Sequence, residues 1–450
     1  MTKKLTNKVD TKRILRIALP LILQQLCFQF QVWVDRAMLG HVNAQYFSAV
    51  GNALVPYNAV ISMINAVCCG TTVLMAQNYG AGDKEKSRRF AENSFVGNAT
   101  ISTIAFIVFY FGAKLIFQAM GVISPILEYS VSYMKILSFT LLIFGAVATA
   151  TSVLQSLGLT KMIMISGIIS NLINIILDWI LIYGKFGCPQ LGIEGAAYAS
   201  TISNYVAAPI MLLYVFKSKQ IPIKLHIKNV FYCKWSIYKE VLRIGGPSGL
   251  EFILWNVGNV ILVSFLNKLD MMAAGVYTLI LSIETFPLLI YMGFANAGLT
   301  LVGQKTGEKD HKQAIAVGFR CLAFALTICL VIAVGFWAVP DKILGIFTND
   351  SMLVEESIPY LILIAFVFFP KAINNVIGLA IRGLGDTRWM LYSQIFGTVF
   401  LVAVAYVLIF VADLQLMGVF LALLLDESVR GILNLLRFWK GREFFHIRKL

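Results

Sequence analysis

The chain alternates long apolar runs with short polar connections from one end to the other. Most runs are about 20 residues or longer, enough to cross the hydrocarbon core of a bilayer as a helix. Twelve spans are predicted, at roughly 14–39, 47–76, 91–119, 127–157, 161–184, 193–216, 241–266, 272–303, 313–338, 356–384, 388–411 and 416–438. The fold class that follows is an all-α polytopic membrane protein. The longest connection, about 217–240, is polar and basic. It marks an N-terminal half (1–218, spans 1–6), a cytoplasmic linker (219–240) and a C-terminal half (241–450, spans 7–12, ending in a short basic tail).

Polar positions inside the runs follow helical spacing. In span 1, Gln24, Phe28, Gln31 and Asp35 fall at i, i+4, i+7 and i+11, on one face. Pro20, one turn earlier, removes a backbone hydrogen bond and is expected to bend the helix. Span 5 repeats the pattern with Asn171, Asn174 and Asp178. A carboxylate at mid-membrane costs about 2.5–3.5 kcal/mol on insertion scales, so each is a candidate for function. Asparagines beside a buried acid suit either a shared proton or a small bound cation. Tyr133 in span 4 and Ser200 in span 6 are candidates to complete such a cluster. The competing reading of Asp35 is a pair with Arg36 at the outer interface.

The second half carries different polar groups: Glu251 and Asn259 in span 7, Glu284 in span 8, Lys371 in span 10, and Asp426, Glu427 and Arg430 in span 12. Lys371 is far from either predicted end, so it calls for a carboxylate partner or a water-filled cavity. Glu284 is either a cavity acid or lies shallower than the span boundaries suggest. Asp426 and Arg430, one turn apart, are open to simple pairing near the cytoplasmic end. Pro20, Gln24, Gln31, Asn171, Glu251, Asn259, Glu284 and Lys371 make up a candidate substrate-cavity and gating set.

The two halves are copies. LRIALPLIL from Leu15 recurs 227 positions later as LRIGGPSGL from Leu242, with Pro20 on Pro247 and Gln24 on Glu251. MAQNYGAGD (Met75–Asp83) falls on VGQKTGEKD (Val302–Asp310), and SLGLTK (Ser156–Lys161) on GLGDTR (Gly383–Arg388), in the same register. Six spans per copy give both halves one orientation. A pseudo-two-fold axis along the membrane normal and a central cleft between lobes follow, a recurrent transporter plan. The copies share the frame but not the charge, because Leu262 and Ala405 stand where Asp35 and Asp178 would.

Composition and charge narrow the classes. The chain is 58% hydrophobic and 13% charged, with a mean hydropathy of +0.79, which excludes a soluble fold. The net charge of +14 sits in short connections, so nucleic acid is not an expected partner; the lipid bilayer is. In the twelve-span scheme, 30 of the 37 Lys and Arg residues fall on one side. By the positive-inside rule both termini are cytoplasmic and the protein is multi-pass in the inner (plasma) membrane. The seven cysteines show no metal spacing and the four histidines no HxxxH pair. With no nucleophile–base constellation either, the chain does not read as an enzyme and calls for no cofactor.

The assembled pattern resembles the MATE (multidrug and toxic compound extrusion) transporters along nearly the whole chain. The likeness rests on Pro20 with Asp35 fifteen residues on, MAQNYGAGD, SLGLTK, NLINIILD in span 5, GIEGAAYAS in span 6 and RGLGDTR before span 11. It implies twelve helices in two pseudo-symmetric six-helix lobes, V-shaped about a central cleft. It further implies export of small organic, often cationic, drug-like substrates against H⁺ or Na⁺ entry, by a monomer. In the DinF-like branch of that family the coupling ion is read in the first lobe. Asp35, Asn174 and Asp178 match that cluster, Tyr133 fits it by spacing, and Ser200 stands where threonine is common. Any Na⁺ site would thus lie at Asp35 and Asp178. The NorM-like branch uses acids in spans 7 and 10, where this chain has Trp255 and Lys371. The alternative function is a lipid or polysaccharide-precursor flippase of related fold. It calls for a basic central cavity, and intramembrane positive charge here is sparse, with Lys371 and Lys135.

Overall fold

The computed structural model describes residues 11–444 apart from 231, 233 and 270. The first ten residues and the end of the basic tail, on which part of the orientation reading rests, lie outside the described residues, as does Cys233. The described chain is a succession of helices without strands. They are α1 Thr11–Val42, α2 Ala44–Gly80, α3 Lys84–Ala119, α4 Ile126–Ser138, α5 Leu141–Ser156, α6 Thr160–Tyr183, α7 Ile193–Lys217 and the single turn α8 Ile227–Val230. The second half continues with α9 Trp235–Leu266, α10 Met271–Gly307, α11 His311–Ala338, the short α12 Pro340–Gly345, α13 Ser351–Gly383, α14 Thr387–Tyr406 and α15 Gln415–Phe444. Ten helices are long and apolar enough to cross a membrane, or eleven if α4 and α5 form one span. The 30-residue α15 is long enough as well, but Asp426, Glu427 and Arg430 near its middle lower its apolar character.

Span 4 departs from the expected single helix over 127–157. It breaks between α4 and α5 with a bend of 51°. The cause is local. Ser138 and Thr140 turn their hydroxyls back onto the Lys135 and Leu137 carbonyls at 2.7 Å each, which competes with the regular ladder. The backbone answers with three-residue hydrogen bonds from Phe139 to Ile136 and from Thr140 to Leu137.

The internal repeat is visible as shared helix ends. Asp83 caps α3 by accepting from the Lys86 N–H at 2.8 Å, and Asp310 caps α11 by accepting from the Gln313 N–H at 3.1 Å. Gly158 and Gly385 follow the ends of α5 and α13 at φ +75° and +88°, left-handed conformations that glycine adopts without strain. One pair departs from this equivalence: Gly82 (φ +79°) is matched by Lys309 (φ +60°).

The described chain divides into two compact units. One holds Leu19–Tyr79 and Asp83–Gly249; the other holds Leu250 onward with the stretch up to Ala18 and the Gly80–Gly82 turn. The first unit closes on a core that includes Leu39, Phe109, Phe117, Met134, Leu141 and Ile182. The linker lies on this unit: Ile221, Ile223 and Leu225 alternate inward, and Glu92 accepts from the His226 N–H at 2.9 Å. Tyr238, at the start of α9, donates to Asn98 Oδ1 at 2.8 Å. In the second unit α10, α11 and α15 pack on α13, and α14 packs on α15.

Candidate functional site

Two helices of the first unit build the site by matched spacing. Along α1 the polar face is Gln24, Phe28, Gln31, Asp35; along α6 it is Gly167, Asn171, Asn174, Asp178. Both series step by four, three and four, and they meet rung by rung. The Gln24 side chain lies against Gly167, where a Cβ would come within 2.8 Å of its Cγ. Asn171, with its amide turned to satisfy both of its groups, accepts from the Phe28 N–H at 3.1 Å and donates to the Gly167 carbonyl at 3.3 Å. The Gln31 amide bonds both Asp35 and Asn174. At the last rung the carboxyl groups of Asp35 and Asp178 face each other. Glycine at 167 lets a long polar side chain lie where another residue would hold the helices apart.

The Asn174 amide joins the two carboxylates. With its oxygen toward Gln31 it accepts from that amide and donates to Ser200 Oγ at 3.3 Å; turned over, its nitrogen instead reaches Asp178 Oδ2 and Asp35 Oδ1 at 3.2 Å each and its oxygen accepts from the Ser200 N–H at 3.2 Å. Ser200 on α7 closes the far side. Tyr133 on α4 is buried, with both carboxylates close enough to act on it electrostatically. Asp178 is fully buried, and its Oδ1 has no hydrogen-bond partner among the described residues. No ion pair among the described residues joins Asp35 to Arg36, so the outer-interface pairing is not the one adopted. A buried and a half-buried carboxylate side by side, with only neutral groups hydrogen-bonded to them among the described residues, repel unless a proton or cation lies between them.

The structure therefore gathers Asp35, Asp178, Asn174, Gln31, Ser200 and Tyr133. Gln24 and Asn171 occupy earlier rungs of the same helix pair, and Pro20 lies one turn before Gln24. Asn259 stands apart, donating to the Trp255 carbonyl of its own helix at 2.9 Å.

The second unit holds its charges in pairs. The carboxylate that Lys371 calls for is Glu284, at 2.5 Å, and Glu284 is buried rather than shallow. Glu251 pairs with Arg382 at 2.6 Å. Arg430 bonds Asp426 at 2.5 Å and Glu427 at 3.2 Å, and it donates to Gln394 at 3.0 Å. From Glu427 the network runs through Asn374 (2.7 Å) and Asn434 (2.7 Å) to Trp389 (2.8 Å). Asp426 and Arg430 do pair, as one part of a larger buried net. The role of Arg382 was not legible in the sequence, where it reads as one more positive charge at a span end. The signal that could have exposed it is Glu251, an acid one turn after Pro247 with no partner on its own helix.

Comparison with known proteins agrees with the repeat. A family profile described as MatE matches twice, over residues 20–180 and 247–407, the second match offset by the same 227 positions. A Thermotoga maritima protein described as a probable multidrug resistance protein NorM is 27% identical over 443 residues, covering 96% of this chain and 92% of that one. The Bacillus subtilis uncharacterized transporter YisQ is 25% identical over 425 residues, with 94% and 92% covered. Among solved structures, an outward-facing multidrug resistance MATE family transporter of the MOP superfamily superposes with a TM-score of 0.89 at 21% identity, covering 98% of this chain and 97% of that one. A MOP superfamily transporter from Pyrococcus furiosus, described as having a binding pocket of reverse polarity, gives 0.89 at 20% identity with the same coverage. With both halves matched and the fold shared end to end, the chain belongs to the MatE family of membrane transporters.

Proposed function

We propose that this chain is a secondary active multidrug exporter that moves small organic, often cationic, molecules outward while H⁺ or Na⁺ enters. It works as a monomer in the plasma membrane with both termini cytoplasmic. The observation that carries the reading is the approach of Asp35 and Asp178, which have amide and hydroxyl neighbours and no ion-paired basic side chain among the described residues. Such a pair needs one positive charge. A proton fits between the carboxyl groups; Na⁺ would take carboxylate, amide and hydroxyl oxygens from Asp35, Asp178, Asn174 and Ser200.

Occupancy acts on the helix pair. With a cation bound, the last rung holds α1 to α6. With the cation gone, two negative charges face each other and favour an arrangement in which α1 separates, bending about Pro20. The cation drives the cycle because it binds the two arrangements with different affinity. A cationic substrate that favours the emptied site is then exported as the ion enters. Relatives described as probable multidrug resistance proteins support drug-like substrates.

The test is drug resistance in cells that expel their own drugs poorly. Expression of the chain should raise the tolerated ethidium concentration, and Asp35→Asn at equal membrane abundance should return it to the empty-vector level. Unchanged resistance with Asp35→Asn would remove the pair from the mechanism.

A further inference from the structure

The two charged pairs built on α13 share an asymmetry. In each pair that involves α13, the cation is the more exposed member. The side chain of Lys371 is 20% exposed against 6% for Glu284, and that of Arg382 is 19% exposed against 13% for Glu251. Lys371 and Arg382 are eleven positions apart, close to three full turns, so they lie on one face of α13 about 16 Å apart along its axis. Asn375 sits on that face between them, half-buried. An ammonium turned toward hydrocarbon would cost about 2.5–3.5 kcal/mol on insertion scales, so this face opens on water or a polar solute. What it offers there is positive charge.

A second feature lies on α10, two turns after Glu284. The Tyr291 hydroxyl on α10 is buried and has no hydrogen-bond partner among the described residues. It feels the charges of Glu284, two turns earlier on the same helix, and of Glu427 on α15. A buried hydroxyl without a partner is costly, and a carboxylate that shifted onto it would remove that cost.

We propose that Lys371 recognises the anionic group of substrates that carry both charges, a planar organic cation with a carboxylate being the class that fits. The substrate carboxylate takes the ammonium, and Glu284 moves to the Tyr291 hydroxyl. No bond is broken and no proton moves; one carboxylate replaces another on the same cation. This deepens the export reading and rests on it, assigning the coupling ion to the first half and the anionic end of the substrate to the second.

Rhodamine B and its ethyl ester test this directly. They share the xanthylium cation and differ in whether the carboxylate is free. Binding of each dye to the purified full-length chain is measured by fluorescence anisotropy in phosphatidylcholine nanodiscs, which hold no anionic headgroup. The readout is the ratio of affinities, acid over ester. Lys371→Met should lower the ratio about tenfold, the scale of one charge-assisted hydrogen bond. Glu284→Gln, which frees the ammonium, should raise it. Should Lys371→Met fail to fold, the Lys371→Met/Glu284→Gln double variant, which leaves no buried charge behind, must show the same lowered ratio. A ratio that stays at the wild-type value without Lys371 overturns the proposal. Ethidium export by the intact chain is scored separately: if it fails, the export reading fails, and if it stands while the ratio does not move, only the role of Lys371 fails.

Discussion

The two halves keep the same helices and put their charges in different places. Asp35 and Asp178 of the first half fall on Leu262 and Ala405 in the second, both fully buried and apolar. Glu284 and Lys371 of the second half fall on Tyr57 and Phe144 in the first. Tyr57 there bonds the Thr140 hydroxyl at 2.5 Å, a neutral contact. Ser200, beside the first-half carboxylates, falls on Glu427. So the frame does not dictate where charge belongs. On the proposed reading, the Asp35–Asp178 site of the first half takes its balancing cation from outside. The second half supplies its own cations from α13 and α15. A site that lacks its counter-charge can read an ion; one that contains it is already satisfied and exchanges only partners.

Stability should respond in opposite senses to removing charge from the two halves. Lys371→Met leaves Glu284 buried beside a methionine and should cost about 3 kcal/mol, the lower end for breaking a buried pair because Lys371 is partly exposed. The Lys371→Met/Glu284→Gln double variant should return close to wild type. Asp178→Asn removes one of two repelling acids and should not lower stability at all. Thermal unfolding in detergent checks all three, and a loss with Asp178→Asn as large as with Lys371→Met would break the comparison.

A smaller effect is expected at the helix pair itself. Gly167→Ala puts a methyl group against the Gln24 side chain, which must shift, at about 1 kcal/mol, the low end for overpacking because Gln24 is flexible. The same change should slow ethidium efflux, because every rung below Gly167 follows its spacing. No loss of rate would mean that α1 and α6 tolerate looser contact than the site requires. The smallest effect concerns the repeat. Lys309 holds a left-handed conformation that Gly82 holds freely in the first half. Lys309→Gly should be neutral or stabilising by up to about 0.5 kcal/mol, and Gly82→Ala destabilising by about 1 kcal/mol. Thermal shift resolves the sign.

Much of this was legible in the sequence for a physical reason. Membrane crossing forces long apolar runs, and helical spacing forces polar residues that act together into i, i+4, i+7 series. Gln24, Gln31 and Asp35 on one helix and Asn171, Asn174 and Asp178 on the other announce themselves that way. That the two series meet was not legible, because a series fixes a face and not the neighbour it turns to. Gly167, the residue that lets the faces approach, carries no side chain to signal its role. The break in span 4 was hidden because Ser138 and Thr140 are as compatible with a membrane helix as with its interruption. The Glu251–Arg382 pair joins residues 131 positions apart, and no local spacing encodes a contact of that range.

The central claim is that the first half reads the ion and the second does not. Proteoliposomes preloaded with ethidium, given in turn an inward pH gradient and an inward Na⁺ gradient, measure this most directly. Wild type should release dye faster under one of the two gradients than under neither. Asp178→Asn should release dye at one rate whatever gradient is imposed, whereas Asp426→Asn, whatever its rate, should still respond to the gradient. A gradient response kept by Asp178→Asn and lost by Asp426→Asn would contradict the account.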